Sequence, residues 1–395
     1  MSSDSSRANS PLASPDKLRV IVVGGGVAGL ETVLALSDLA PGLIDVTLIA
    51  PNDEFVYRPM VVREPFAYSA ARRYPLEPIV SDAGATLLDG ELSWIDPVAR
   101  TIHTEAGEAL EYDALVLALG AKVTERYAHA LTIDDRDMDE TFHGLIQDIE
   151  GDFIHKLAFV MPARIAWPLP LYELALMMVA RAYDMQIELE TTIVTPEQMP
   201  LAIFGDKASR GVAELLGAAK IETIASAHAE VPSYGEVLIN QGERRLEVDR
   251  VIALPELSGP IVRGIPLGED SFIPVDEHCR VRDVERIYAA GDATDFPIKM
   301  GGVGAQQADV IAQSIAALAG ASVTPERFDP TVHGILLTGE KPRYLTAHLV
   351  GGRGFDSEFT AQPTWSPPSK IAAKYLAPYL EALDRKDTSK AGIAA

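Results

Sequence analysis

The chain holds a single cysteine, Cys279, in 395 residues. One thiol excludes an internal disulfide and any paired-thiol redox centre. Long apolar runs are missing too. No stretch approaches the roughly 18 uncharged apolar residues of a membrane-spanning helix, and the most apolar region, 157–179, is interrupted by Arg164, Glu173 and prolines. Cationic charge is scarce: 34 Lys and Arg stand against 57 Asp and Glu, a formal net charge of −23. Such a surface repels phosphate backbones and anionic lipid headgroups, so nucleic acid is excluded as a partner and membrane docking is not favoured. The 8 histidines are scattered, with no pair at metal-ligand spacing, and no metal site is expected. The opening MSSDSSRANSPLASPDK lacks an apolar core of signal-peptide length. It reads as a disordered tail over 1–17, and a cytoplasmic location is the expectation.

What is present is an ordinary globular composition, 47% hydrophobic and 23% charged, in a chain long enough for two domains. Leu18-Arg19-Val20-Ile21-Val22-Val23 is a β-branched run suited to a buried parallel strand. Gly24-Gly25-Gly26-Val27-Ala28-Gly29 follows, then Leu30, Val33, Leu34 and Leu36 at helical spacing, then a second strand, Val46-Thr47-Leu48-Ile49. This strand–loop–helix–strand context gives the Gly-x-Gly-x-x-Gly spacing its meaning as a dinucleotide loop. Gly24 permits the tight turn, Gly26 the approach of a pyrophosphate and Gly29 close helix packing, with the phosphates at the helix N-terminus beside Val27 and Ala28. An acidic residue is usual roughly 20 residues past the glycines for the ribose hydroxyls. Here Ala50 stands there, with Asn52 or Glu54 as substitutes.

Two further segments repeat one pattern, a buried strand ending in glycine: Ala114 to Ala121, containing Ala118 and Gly120, and Ile287 to Ala293, containing Gly291 and Asp292. Together the three segments resemble the FAD-dependent pyridine nucleotide-disulfide oxidoreductase superfamily, in the branch of type II NADH dehydrogenases and sulfide:quinone oxidoreductases. The resemblance covers about 18–320 and implies FAD as cofactor, with Asp292 on its ribityl chain. Gly304, Ala305 and Gln306 then open a helix aimed at the flavin, where the N-terminus favours charge on the reduced ring. Lys299 reads either as an added positive charge at the ring or as a solvated surface group. The Tyr57-Arg58-Pro59 loop also resembles that branch, where it lies near the isoalloxazine, so Arg58 joins the cofactor residues and Tyr57 the substrate side.

Relatives using NADH carry a second glycine loop. Its place here is occupied by Met161-Pro162-Ala163-Arg164-Ile165-Ala166-Trp167-Pro168-Leu169-Pro170, between the strand 157–160 and a helix expected over 171–182. No glycine is present, and each proline removes an N–H donor, so NAD(P) binding in the usual mode is not expected. Trp167, Pro168, Pro170 and Tyr172 either plug the vacant cleft or wall a new pocket against the flavin. Glu173 matches the glutamate after the loop in related dehydrogenases and reads as a proton relay or a first-turn acid. Glu197 reads as a capping or surface residue, and Cys279 as structural.

The expected architecture is α/β: two Rossmann-like βαβ domains and a small C-terminal region. The FAD domain is assigned 18–125 and 245–325, the second domain 126–244, and the C-terminal region 326–395. That last region holds strands at 335–339 and 344–347, a turn at 351–354, a Pro-rich loop at 363–368 and an amphipathic helix over 371–383. Three functions stay open at this point. The first is an FAD enzyme passing electrons from a small donor to a quinone or other acceptor. The second is an NAD(P)H-dependent enzyme with non-standard nicotinamide binding, and the third a non-catalytic flavin-carrying subunit. Homodimerisation is also left open.

Overall fold

The computed structural model describes residues 17–67, 70–350 and 353–393, with the side chains of Arg353 and 387–393 left aside. The expected tail therefore lies outside the described residues except at Lys17, as do Gly351 and Gly352 of the expected turn.

Two five-stranded, all-parallel sheets are built to one plan. The first has the order Ile287–Ala289, Ala114–Leu117, Leu18–Val23, Ile44–Ala50, Thr86–Asp89. Val20 at its centre pairs with Val46 on one side and Ala114 on the other, which is why the sequence here is continuously apolar. Helices Val27–Leu39 and Gly301–Leu318 pack together against this sheet. A three-stranded antiparallel meander over 92–111 fills the connection before Ala114.

The second sheet runs Leu131–Thr132, Arg250–Ala253, Lys156–Val160, Glu190–Val194, Glu222–Ile224. Helices Met138–Glu150, Leu169–Asp184 and Gly205–Ala218 accompany it, and a second meander occupies 229–247. Strand Arg250–Ala253 moves a boundary. It lies inside the second sheet, beside Lys156–Val160, so the return to the FAD domain falls after it rather than at 245. A short β-branched run ahead of Leu254-Pro255 suits either sheet, and only the pairing decides. The two crossings between domains run antiparallel to each other as Lys122–Thr124 and Glu256–Ser258.

The domains also share core. The 3-10 helix Arg58–Phe66, an excursion of the FAD domain, buries Val61, Val62 and Phe66 in one cluster with Phe142, Leu145 and Ile149 of the second. The C-terminal region contributes an antiparallel sheet, Thr331–Leu336, Arg343–Val350, Arg353–Thr360, the last strand unforeseen in the sequence. It docks on the second domain through Phe359, which lies against Gly211, and through Gly334, which lies against Phe204. The terminal helix begins at Leu376 rather than 371 and runs to Ile393. Residues 361–375 form an irregular strap ahead of it. Ile371, Ala373, Leu376, Ala377 and Leu380 are buried in the core of the FAD domain, so the apolar face of this segment is spent on packing. Among the described residues no helix is long and apolar enough to cross a membrane.

A Cβ added at Gly334 would stand 2.6 Å from the buried Phe204 ring. Gly334→Ala is therefore expected to lower stability by about 1–3 kcal/mol, as overpacked cores do, measured by urea denaturation against wild type.

Candidate functional site

The first loop is a cradle that only glycine allows. Gly24 has φ +115°, and a Cβ there would lie 2.1 Å from the Ala118 carbonyl oxygen. A Cβ at Gly29 would lie 1.9 Å from the Gly24 oxygen. Above Gly26 nothing stands within 4 Å of the corresponding position, leaving the helix N-terminus open. The first helical bond is Leu30 N–H to Gly26 O, 3.0 Å, so the N–H groups before it have no helical acceptor. No acidic side chain lies in that first turn.

The second half of the cradle meets the first. A Cβ at Gly304 would touch the Gly291 Cα at 3.0 Å and the Ala28 side chain at 3.6 Å. Gly24, Ala28, Gly29, Ala118, Gly291 and Gly304, chosen from separate parts of the sequence, thus form one close-packed group. Val27 lies beside Gly301, Gly120 is open to its surroundings, and Ala305 is buried in the helix interface. The Asp292 carboxylate receives no hydrogen bond among the described residues. Burial raises its pKa to about 6, against the opposing charge of Lys299. A buried carboxylate without a donor, beside an open helix N-terminus, fits the ribityl hydroxyls and pyrophosphate of FAD.

Five assigned residues are placed differently by the structure. Gln306 is committed to the fold: its amide donates to the Thr331 and Gly302 carbonyls and accepts from Thr331 N–H, holding the C-terminal sheet rather than a cofactor. Its neighbour Gln307, not singled out, accepts from Gly291 N–H at 2.7 Å and so supports the cradle. Tyr172 and Pro168 are core residues rather than pocket walls. Asn52 is exposed at the strand end, and Arg58 pairs with Asp135 of the second domain at 2.8 Å. Lys299 is buried, donates through Nζ to Thr294 O and lies 3.7 Å over the Phe272 ring, which removes the solvated-surface reading. Burial pulls its pKa down to about 8, with Asp292 and Asp295 opposing.

In the second domain the loop before helix Leu169–Asp184 is closed by the protein itself. Ala166 O accepts from Lys299 N–H at 3.2 Å. Arg164 pairs with Glu269, 3.2 Å, and with Asp270 of the FAD domain. Trp167 is half-buried against Phe204, ring centroids 5.7 Å apart. Tyr172 donates its hydroxyl to Glu197 Oε2 at 2.6 Å, while Glu197 Oε1 accepts Ala202 N–H at 3.1 Å. Glu197 thus caps a turn, as expected, yet is half-buried rather than surface. The acid that would hold a nucleotide ribose is already occupied by a tyrosine.

Glu173 sits one residue on, 1% exposed. Its carboxylate meets Lys370 Nζ at 2.6 and 2.8 Å and accepts Leu337 N–H at 2.9 Å. Lys370, which the sequence reading missed, also donates to Pro59 O at 3.1 Å. Burial pushes the Glu173 carboxyl up and the Lys370 amine down, and their mutual attraction opposes both shifts. Next along the strap, Ile371 N–H donates to the Tyr57 hydroxyl at 3.0 Å. Ile371 and Ala372 cross the first turn of helix Gly301–Leu318. The pair therefore lies where the Tyr57 loop, the second-domain helix and the helix of the flavin cradle converge.

Residues 18–150 match the family model of the pyridine nucleotide-disulphide oxidoreductases. That segment of the chain carries a pyridine nucleotide-disulphide oxidoreductase domain. A sulfide-quinone reductase of Aquifex aeolicus is 34% identical over 109 residues, 26% of this chain and 24% of that protein, so the match spans about a quarter of the relative. An NADH dehydrogenase-like protein of Mycobacterium tuberculosis is 26% identical over 293 residues, 69% of this chain and 72% of the relative. Among solved structures, the sulfide:quinone oxidoreductase of Aquifex aeolicus superposes with a TM-score of 0.75 at 21% identity, covering 87% of both chains. The superfamily's FAD is the cofactor that the cradle fits.

Two outcomes follow from the geometry. Gly24→Ala places a methyl group 2.1 Å from the Ala118 oxygen, and the purified variant is expected to lack flavin absorbance. FAD affinity is expected to fall as pH drops through about 6, because ribityl hydroxyls donate to the ionised Asp292; fluorescence titration of the apoprotein across pH 5–8 checks it, and Asp292→Asn should flatten the profile.

Proposed function

We propose that the protein is an FAD-dependent oxidoreductase that delivers electrons to a quinone-class acceptor and takes them from a donor other than NAD(P)H. Bound FAD would supply the two-electron exchange. The observation that carries the reading is the buried Glu173–Lys370 pair, set against Tyr57 and the cradle helix, in a chain whose second nucleotide loop is built shut. A quinone taking up two electrons needs two protons, and a water-poor site must provide them from a fixed group. Glu173 and Lys370 hold a proton between Oε1 and Nζ at 2.6 Å. Burial raises the acid and lowers the amine, bringing their proton affinities toward each other, which suits a proton that is released and recaptured within the pair. Lys299, with its pKa brought to about 8, places positive charge beside Asp292 and the cradle, favouring the electron-rich state of a bound ring.

On the donor side, proline and Trp167 replace the glycine turn and Tyr172 fills the ribose acid. Nothing is left of the usual cradle for a second pyrophosphate. The Plasmodium falciparum NDH2 solved in complex with NADH shares the fold, with a TM-score of 0.56 at 18% identity. The loop is the point at which this chain is built for something else.

Anaerobic stopped-flow mixing tests the reading. The flavin band is expected to persist with NADH and NADPH and to bleach with a quinol or sulfide. In Glu173→Gln, reoxidation by quinone is expected to slow by about 10²–10⁴, the usual scale for a lost general acid. Rapid bleaching by NADH overturns the donor assignment, unchanged reoxidation overturns the role of Glu173, and a flavin that no small donor reduces indicates a non-catalytic subunit.

A further inference from the structure

We propose that Glu31, with Asp309 beside it, is the positioning group that holds Lys370 in the site. The inference rests on the preceding reading of Glu173 and Lys370 as the proton-holding pair.

Glu31 lies on helix Val27–Leu39, directly behind the glycine cradle, and is 0% exposed. Such a carboxylate needs donors, and it takes them from the strap. Oε1 accepts Tyr375 N–H at 2.8 Å and Oε2 accepts Leu376 N–H at 2.6 Å, where the terminal helix begins. Tyr375 is tied a second time, its hydroxyl donating to Asp38 Oδ2 at 3.2 Å on the same helix. Lys370 is five positions upstream of Tyr375, and between them Ile371 and Ala373 are buried. So short a tether, at most about 3.5 Å per residue, cannot absorb a shift at one end without moving the other. Glu31 fixes one end, and Glu173 and Tyr57 fix the other.

Asp309, on helix Gly301–Leu318, faces Glu31, and its Oδ1 is buried without a partner among the described residues. Of two adjoining buried carboxyls, one ionises only at a strongly raised pH. The charge belongs to Glu31, because backbone donors and the helix N-terminus favour the anion there. The proton belongs to Asp309, whose pKa burial and the Glu31 charge raise to about 8. The other charged group facing the pair is Lys374 from the strap, which lies beside the Tyr375 hydroxyl and Asp38 of the first helix. The folded value of Asp309 lies above its unfolded one, so the contribution of its proton is complete at acid pH and lost as pH rises through about 8. Above that, two carboxylates confront each other behind the cradle and the clamp loosens.

The test is hydrogen exchange by mass spectrometry on the FAD-loaded full chain, corrected for intrinsic exchange at each pH, with quinone half-reaction kinetics in parallel. Glu31→Ala is expected to lose protection across 370–376 by about tenfold or more, and to raise the quinone KM while donor-side reduction is unchanged. Glu31→Gln keeps one carbonyl acceptor and should restore part of both. Wild type is expected to lose protection between pH 7 and 9, and Asp309→Asn, which donates at every pH, to keep it. Protection in Glu31→Ala equal to wild type overturns the proposal, as does lost protection with an unchanged quinone half-reaction. So does an Asp309→Asn protein that loosens at pH 9 as wild type does. A wild type that binds FAD but never reacts with quinone overturns the functional reading instead, and exchange at Lys370 and Ile371 then decides the clamp alone.

Discussion

A carboxylate placed in a protein core must be given donors, and the site of this protein is organised around two that are. Glu31 and Glu173 stand in different Rossmann domains, on helices at the same place in the two βαβ units, and each is essentially without solvent contact. The same stretch of chain, 370–376, satisfies both: Lys370 Nζ reaches Glu173, and two backbone N–H groups reach Glu31. Leaving either acid ionised and unpaired would cost several kcal/mol. Burial of these groups is therefore what fixes the strap to the cleft, and with it the relation between the C-terminal region and the cradle.

The two halves of the molecule show how one backbone plan is kept or closed. In the first, glycines remove every side chain from the helix N-terminus and leave its N–H groups open above Gly26. In the second, Pro168 and Pro170 remove donors, and the helix instead turns Tyr172 inward onto Glu197. The sheets, meanders and crossings are nearly the same in both. Ligand capacity thus resides in a handful of residues at the strand–helix turns, while the parallel sheets carry the fold whether or not a nucleotide binds.

Much of this was legible in the sequence because it is local. The strand–glycine–helix unit at 18–39, the strand endings at Ala118 and Gly291-Asp292, and the glycine-free turn at 161–170 each declare themselves within a short window. What escaped depends on distance. The Lys370–Glu173 bond spans 197 residues and the Glu31–Leu376 bond 345, and no periodicity links such partners. A strap without regular structure leaves no hydrophobic pattern to read, so in the sequence 371–375 merges with the helix that follows. Gln306 and Gln307 look equivalent in a list of residues, yet helix phase sends one to Thr331 and the other to Gly291. The run at 250–253 suits either sheet, and only pairing assigns it.

The clamp on Glu31 also sets an order of events during synthesis. The cradle helix leaves the ribosome early, but the donors for its buried acid are encoded 344 and 345 positions later. At about 5–20 residues per second that interval is tens of seconds. Throughout it Glu31 has neither strap nor terminal helix to turn to, and strand Ile287–Ala289 of the same sheet is late as well. The nascent first domain is thus an unfinished vessel, its buried acid waiting for donors made more than 340 residues after it.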